Sequence, residues 1–325
     1  MDKVRIGFIG AGGIARHHMR QLKEIPEAEV VAFADPNEGS WDKMQATHPE
    51  TVAARFYRDY QEMLDAEQLD AVEVHTPHTL HFAQVMEALD RGLHVLVEKP
   101  MVTTVAHAEQ IVRKAKESGK IVLVSYQRHY QPMYLYIRDR IQQGDLGPIQ
   151  FLAALQSQGW YQGCKGTWRH DPALSGGGQL TDSGSHLIDI MLWTTGLEPA
   201  EVYASQEFYD TKVDIDSAIT IRFKGGAQGT ISIVGYSPFW WEDFSIWGPK
   251  AAVLYRNGLL YYQSCGEKMT QPESLPEGSN PDRNFIGAIL GREEVQSTPE
   301  GGLRVIRLTE AAWQSAREGR PVRLA

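Results

Sequence analysis

The stretch VRIGFIGAGGIA, residues 4–15, decides how the first half of the chain is read. An apolar run from Val4 to Ile9 stops at Gly10-Ala11-Gly12-Gly13-Ile14-Ala15, and the helical window IARHHMRQLKEI follows. Between a strand and a helix, the spacing Gly10-x-Gly12-x-x-Ala15 fits the dinucleotide fingerprint of a βαβ unit. Gly10 permits the tight turn, Gly12 removes the side chain that would hold the backbone away from a pyrophosphate, and Ala15 lets the helix pack near the sheet. Amides at that helix start, around Gly13 and Ile14, would face the anion. Glycines after a strand are also ordinary turn residues, so the context has to carry the reading. It does: a second strand ends on Asp35, about 20 residues on, where a carboxylate would bind the adenosine ribose hydroxyls and repel a 2′-phosphate. Pro36, Asn37 and Glu38 follow with no arginine to neutralise such a phosphate. NAD is therefore expected in preference to NADP.

Working outward, six β-rich runs alternate with amphipathic windows up to residue 126: VRIGFI, EVVAFAD, ARFY, DAVEVHT, HVLVE and KIVLVSY. That alternation predicts βαβ units and a doubly wound parallel sheet. Beyond residue 126 the pattern changes. A helix in QPMYLYIRDRIQQG and another around TDSGSHLIDIMLW are mixed with alternating runs such as EVYASQEFY, SAITIRFKG and AQGTISIVGY. The expectation is an α/β chain with a Rossmann domain at 1–126 and an α+β domain at 127–325 built on a mostly antiparallel open sheet. A closing helix is expected at about 299–318, with Thr298 as N-cap and Pro299 at its first position. A sheet covered on one face leaves the other for a second subunit, so a homodimer or homotetramer through the second domain is expected.

Composition narrows the classes. The 325 residues are 42% hydrophobic and 22% charged, as in a soluble globular protein. The net charge of −9, with no Lys/Arg block, argues against a nucleic-acid partner, whose phosphates need clustered cations. No window is long and apolar enough for a bilayer span, and the start has no secretory pattern. Cys164 and Cys265 form neither a disulfide framework nor a CxxC pair, so a cytoplasmic setting is expected.

Two constellations carry chemistry. HVLVEKP, residues 94–100, ends an apolar strand on Glu98 and Lys99, where ligands of open α/β sheets bind. A lysine there could meet the reactive end of a dinucleotide, or simply pair with Glu98 and face water. SGGGQLTDSGSHLID, residues 175–189, sets Asp182 and His186 four apart, a spacing that shares one face of a helix. A helix cap with a satisfied histidine is the plain alternative. Asp182, His186 and Asp189 share a stripe, and His75, His78 and His81 cluster, but no HExxH or cysteine spacing accompanies them and no metal is expected. Aromatic SPFWWEDFSIWG, residues 237–248, reads as core or subunit contact.

Taken together, GxGxxA, the segment Thr76-Pro77-His78-Thr79-Leu80-His81, the strand-end EKP, WRHDPALSGGGQLTDSGSHLID and TPEGGLRVIRLTEAAWQSAREGRPV resemble the Gfo/Idh/MocA family of NAD(P)-dependent oxidoreductases, which includes glucose-fructose oxidoreductase and inositol dehydrogenase. The likeness runs over nearly the whole chain. It implies that Lys99, Asp182 and His186 form a catalytic triad for hydride transfer between NAD and a ring hydroxyl of a sugar, inositol or related polyol. It implies cofactor contacts from Thr76, Pro77, His81, Glu98 and Lys99, and substrate contacts from Trp168 and Arg169 besides Asp182 and His186; Arg128, just past the sixth β-rich run, could add a polar fork to the pocket wall for a polyhydroxylated ring. His78 stands where the family often has asparagine. A redox glycosidase, using transient oxidation for net hydrolysis, resembles the same family, and a silent sugar or nucleotide sensor is a third reading.

Overall fold

The computed structural model describes residues 3–324. In chain order the elements are β1 (Val4–Ile9), α1 (Gly13–Leu22), β2 (Ala28–Ala34), α2 (Glu38–Thr47), β3 (Arg55–Tyr57), α3 (Tyr60–Ala66), β4 (Ala71–Val74), α4 (His81–Asp90), β5 (His94–Val97), α5 (Val105–Ser118) and β6 (Val122–Val124). There follow α6 (Pro132–Gln142), β7 (Phe151–Ser157), the single turns α7 (Trp160–Gly163) and α8 (Pro172–Ser175), and α9 (Gly184–Thr195). The chain continues through β8 (Pro199–Glu207), β9 (Asp216–Phe223), β10 (Gln228–Val234), β11 (Trp241–Trp247), β12 (Ala251–Arg256) and β13 (Leu259–Ser264). It closes with α10 (Pro281–Ile289), α11 (Pro299–Glu318) and β14 (Val322–Arg323).

Two compact units share this chain. The first holds the residues up to Val102, Ala106–Gln127 and Ser279–Gly302. The second holds Thr103–Val105, Arg128–Gly278 and the residues from Leu303 on. A single cut between 126 and 127 thus has no counterpart for residues 279–302, which pack with the first unit. The reason lies in α10: Phe285 and Ile286 are buried in the same core as Ile6, Phe8, Met19 and Phe33.

Six parallel strands form the first unit's sheet in the order β3-β2-β1-β4-β5-β6. Both faces are covered, so the central strands are buried throughout rather than alternating, as in β4 and β6, every residue of which is buried. The order reverses between β1 and β4, the place where such sheets bind ligands at their carboxyl ends.

The second unit has an eight-stranded sheet in the order β13-β12-β11-β7-β10-β9-β8-β14. Every pair is antiparallel except β7 with β10. Here the alternation is clean: Ser217, Ile219, Ile221 and Phe223 of β9 are buried, whereas Ala218, Thr220 and Arg222 are exposed. α9 packs on β7, and α6 packs on α9. The aromatic segment 237–248 does not go wholly into the core, since Phe239, Trp240 and Trp241 are 62%, 49% and 39% exposed while Phe244 and Ile246 are buried.

Candidate active site

In the first unit, the candidate site is built where β1, β4 and β5 end. Gly10 turns the chain out of β1 with φ +100°, a conformation side chains disfavour. A Cβ there would also lie 2.9 Å from the His75 carbonyl oxygen, so the loops after β1 and β4 touch only because Gly10 has no side chain. At Gly12, by contrast, the space a Cβ would enter is open. α1 then begins with no side-chain cap and no acidic residue in its first turn. An open cradle beside an uncapped helix start fits the pyrophosphate of a dinucleotide.

Asp35, just past β2, accepts the Ala11 N–H on Oδ2 at 2.9 Å and the Asn37 N–H on Oδ1 at 2.8 Å. Its carboxylate is thereby fixed beside the glycine turn. Past β4, Thr76 and Pro77 lead into a short turn at His78–Leu80, and His81 opens α4. The His81 ring nitrogens sit 2.9 Å from the Pro100 carbonyl and 2.9 Å from the Thr76 carbonyl. With both nitrogens engaged, His81 braces the loop after β4 against the loop after β5.

The strand-end Glu98-Lys99-Pro100 divides its labour. Glu98 is buried, accepts from His18 Nε2 at 2.9 Å and takes the Lys99 N–H on Oε2 at 3.1 Å. Lys99 is partly buried and is joined to Pro100 by a cis peptide bond. Burial opposes charge on His18, yet Asp282, Glu98 and Glu73 around it raise its pKa well above the ordinary value. Burial likewise pushes Glu98 up, but the contact with His18 outweighs it and holds the carboxyl below its usual range. The Glu98 carboxylate turns inward to His18.

In the second unit, Asp182 is buried, and its Oδ2 accepts Trp160 Nε1–H and Arg169 Nε–H, each at 2.8 Å. The Arg169 guanidinium lies 4.5 Å over the Trp168 ring. Trp168 and Arg169 therefore stand next to Asp182, in a short turn capped by Thr167. The helix expected across Asp182 begins only at Gly184, so His186 and Asp189 lie on α9 while Asp182 belongs to the turns before it. Asp189 is paired with His129 Nε2 at 2.8 Å, and Arg128 is buried against Glu242, which also accepts from Tyr134. A cavity of about 460 Å³ in this unit is lined by Tyr161, Lys165, His170, Asp171, Asp210 and Lys212 among others.

The turns before α9 are set by a residue the sequence reading passed over. Asp214 accepts N–H groups from Gly178 at 3.0 Å, Leu180 at 2.8 Å and Trp313 Nε1 at 3.0 Å. Burial pushes its carboxyl up against the pull of those donors. Gly177 and Gly178 are required by close approach: added Cβ atoms would meet Trp313 at 2.3 Å and the Asp214 carbonyl oxygen at 1.9 Å.

A model of the oxidoreductase family with an NAD-binding Rossmann fold matches residues 4–126, and one of the GFO/IDH/MocA C-terminal domain matches residues 134–254. The chain belongs to the GFO/IDH/MocA oxidoreductases. Among similar proteins, the scyllo-inositol 2-dehydrogenase (NAD(+)) of Bacillus subtilis is 27% identical over 73% of this chain and 69% of its own. The D-glucoside 3-dehydrogenase of Escherichia coli is 25% identical over 99% of this chain and 97% of its own. The fold is shared with the aldose-aldose oxidoreductase of Caulobacter crescentus solved with glycerol, at TM-score 0.87 and 24% identity over 99% and 100% of the two chains. This GFO/IDH/MocA oxidoreductase uses the NAD-binding Rossmann fold, and no helix among its described residues is long and apolar enough to cross a membrane.

Two features escaped the sequence reading. His18 falls on the apolar stripe Ala15, Met19, Leu22 of α1, and Glu73 sits inside the apolar run of β4. A titratable residue on a core-facing position is the signal that was available for both.

Proposed function

We propose that the chain transfers a hydride between NAD and a ring hydroxyl of a sugar, inositol or related polyol. The observation that carries this reading is the edge of the first unit, where the turns after β1, β4 and β5 bring Gly10–Gly13, Thr76-Pro77 and Glu98-Lys99 together. Gly10, Gly12, Gly13 and Ile14 hold the pyrophosphate and Asp35 the adenosine ribose, while Thr76, Pro77 and Glu98 shape the cofactor's reactive end. The relatives named for inositol and glucoside oxidation support the substrate class.

Bound NAD supplies the acceptor for the hydrogen leaving carbon. The protein's own residues handle the proton and the charge. His186 accepts the hydroxyl proton in oxidation and returns it in reduction. The Lys99 ammonium steadies the developing alkoxide. Asp182, held by Trp160 and Arg169, orients the substrate hydroxyl, and Trp168 offers a flat face for the C–H side of a ring. Arg128 contributes through the wall it builds with Glu242 and Tyr134.

The test is NADH absorbance over a panel of sugars and inositols. Lys99→Ala should lower kcat by about 10²- to 10³-fold with NAD affinity little changed. Full alcohol-dependent NADH formation in that variant would overturn the assignment. Sugar released with no net absorbance change would instead mark glycoside hydrolysis.

A further inference from the structure

Beneath the cofactor edge of the first unit lies a polar cluster that the proposed reaction does not use. His18 of α1, Glu73 of β4, His75 just after it and Asp282 of α10 meet in the core, with exposures of 1%, 0%, 7% and 0%. His18 Nδ1 is 2.9 Å from Asp282 Oδ1 and 3.6 Å from Glu73 Oε2, and Glu73 Oε2 is 3.1 Å from His75 Nε2. One donor atom from each of His18, Glu73 and His75 lies within 4.8 Å of the others.

The His18, Glu73 and His75 atoms hydrogen-bond or lie close at these separations, near enough for one small ion to take the place of the protons between them. Ligands about 2.0–2.1 Å from a tetrahedral ion stand roughly 3.3 Å apart, inside the range observed here. A second observation is independent of the spacing. Glu73 Oε1, His75 Nδ1 and Asp282 Oδ2 are buried without a hydrogen-bond partner among the described residues. Buried polar atoms left so are rare and costly in native folds. Two carboxylates facing one another in a dry core call for positive charge as well as donors, and a cation supplies charge where protons would otherwise have to. The outer shell is also in place: Glu98 accepts His18 Nε2–H at 2.9 Å, which leaves Nδ1 as the nitrogen that can ligate.

We propose that His18, Glu73 and His75 form a site for a divalent transition-metal ion, with Asp282 beside His18 and Glu98 as the carboxylate that orients it. Two imidazoles and a carboxylate suit Zn²⁺ and disfavour Mg²⁺ or Ca²⁺, which take oxygen shells. The three ligands are buried in the core, so the ion is structural. It ties α1 to β4, the elements next to the glycine turn and Thr76-Pro77.

The experiment uses the untagged full-length chain from cells grown with added zinc. Elemental analysis after gel filtration should find about one zinc per chain. A chelator should remove it with a fall in Tm, and Zn²⁺ alone, titrated back, should restore both. Glu73→Gln and His75→Gln should each lower bound zinc at least about tenfold. Should these variants not fold, the chelator and zinc titration of the wild-type chain decides alone. Less than a tenth of an ion per chain with no Tm response to Zn²⁺, or unchanged zinc in the folded variants, would overturn the proposal.

Discussion

Asp35 shows how much one carboxylate settles. It accepts two backbone N–H groups, from Ala11 and Asn37, which fixes it beside the glycine turn, where we propose that it meets the adenosine ribose of NAD. Hydrogen bonds to a charged group contribute about 1.5–3 kcal/mol each, so its loss reaches both the ligand and the turn. Asp35→Ser should weaken NAD about tenfold or more and narrow the preference over NADP by a similar factor, because the charge that repels a 2′-phosphate is gone. Calorimetric titration of both nucleotides measures this, and an unchanged ratio would remove Asp35 from cofactor selection. At this scale the glycine fingerprint and Asp35 were legible because their reasons are local: a tight turn, a close approach, a charge at a strand end. Arg128 was less so. Its pairing with Glu242 joins residues far apart in the chain, and no local pattern marks it.

At the scale of elements, the segment before α9 is held by packing rather than by helix propensity. Asp214 gathers three N–H donors, and Gly178 lies against its backbone. Asp214→Asn would turn an amide donor toward donors and should cost about 1–3 kcal/mol of stability. Gly178→Ala should cost about 3 kcal/mol by overpacking, and both should shift Asp182 and so reduce turnover. Urea denaturation with parallel kinetics checks this; variants as stable and active as the parent would show that the turns tolerate another shape. The glycine run was visible in the sequence, and its partners were not. Trp313 and Asp214 reach it from α11 and from the loop before β9, so only the folded chain shows what the missing side chains make room for. The same distance explains why the helix was expected to include Asp182, when it starts at Gly184.

On the scale of the whole molecule, the second unit's sheet keeps an exposed face, with Tyr203 of β8 47% exposed beside outward Thr220 and Arg222 of β9, while Phe239, Trp240 and Trp241 are exposed near β11. We propose that a second copy of the chain covers this sheet, giving a homodimer or homotetramer. Light scattering should find two or four times the chain mass at micromolar concentration, and Tyr203→Asp should lower it. A monomer under those conditions would remove the proposal.

By itself the sequence determined the alternation of strands and helices, the Rossmann character of the first unit, the strand-end lysine and the family, since each depends on residues close in the chain or on spacing that local geometry enforces. Only the tertiary structure decided that residues 279–302 return to the first unit, that Glu98 turns inward to His18, and that Glu73, His75 and Asp282 share one buried space. Those facts rest on burial and charge balance among distant segments, which short-range pattern cannot encode.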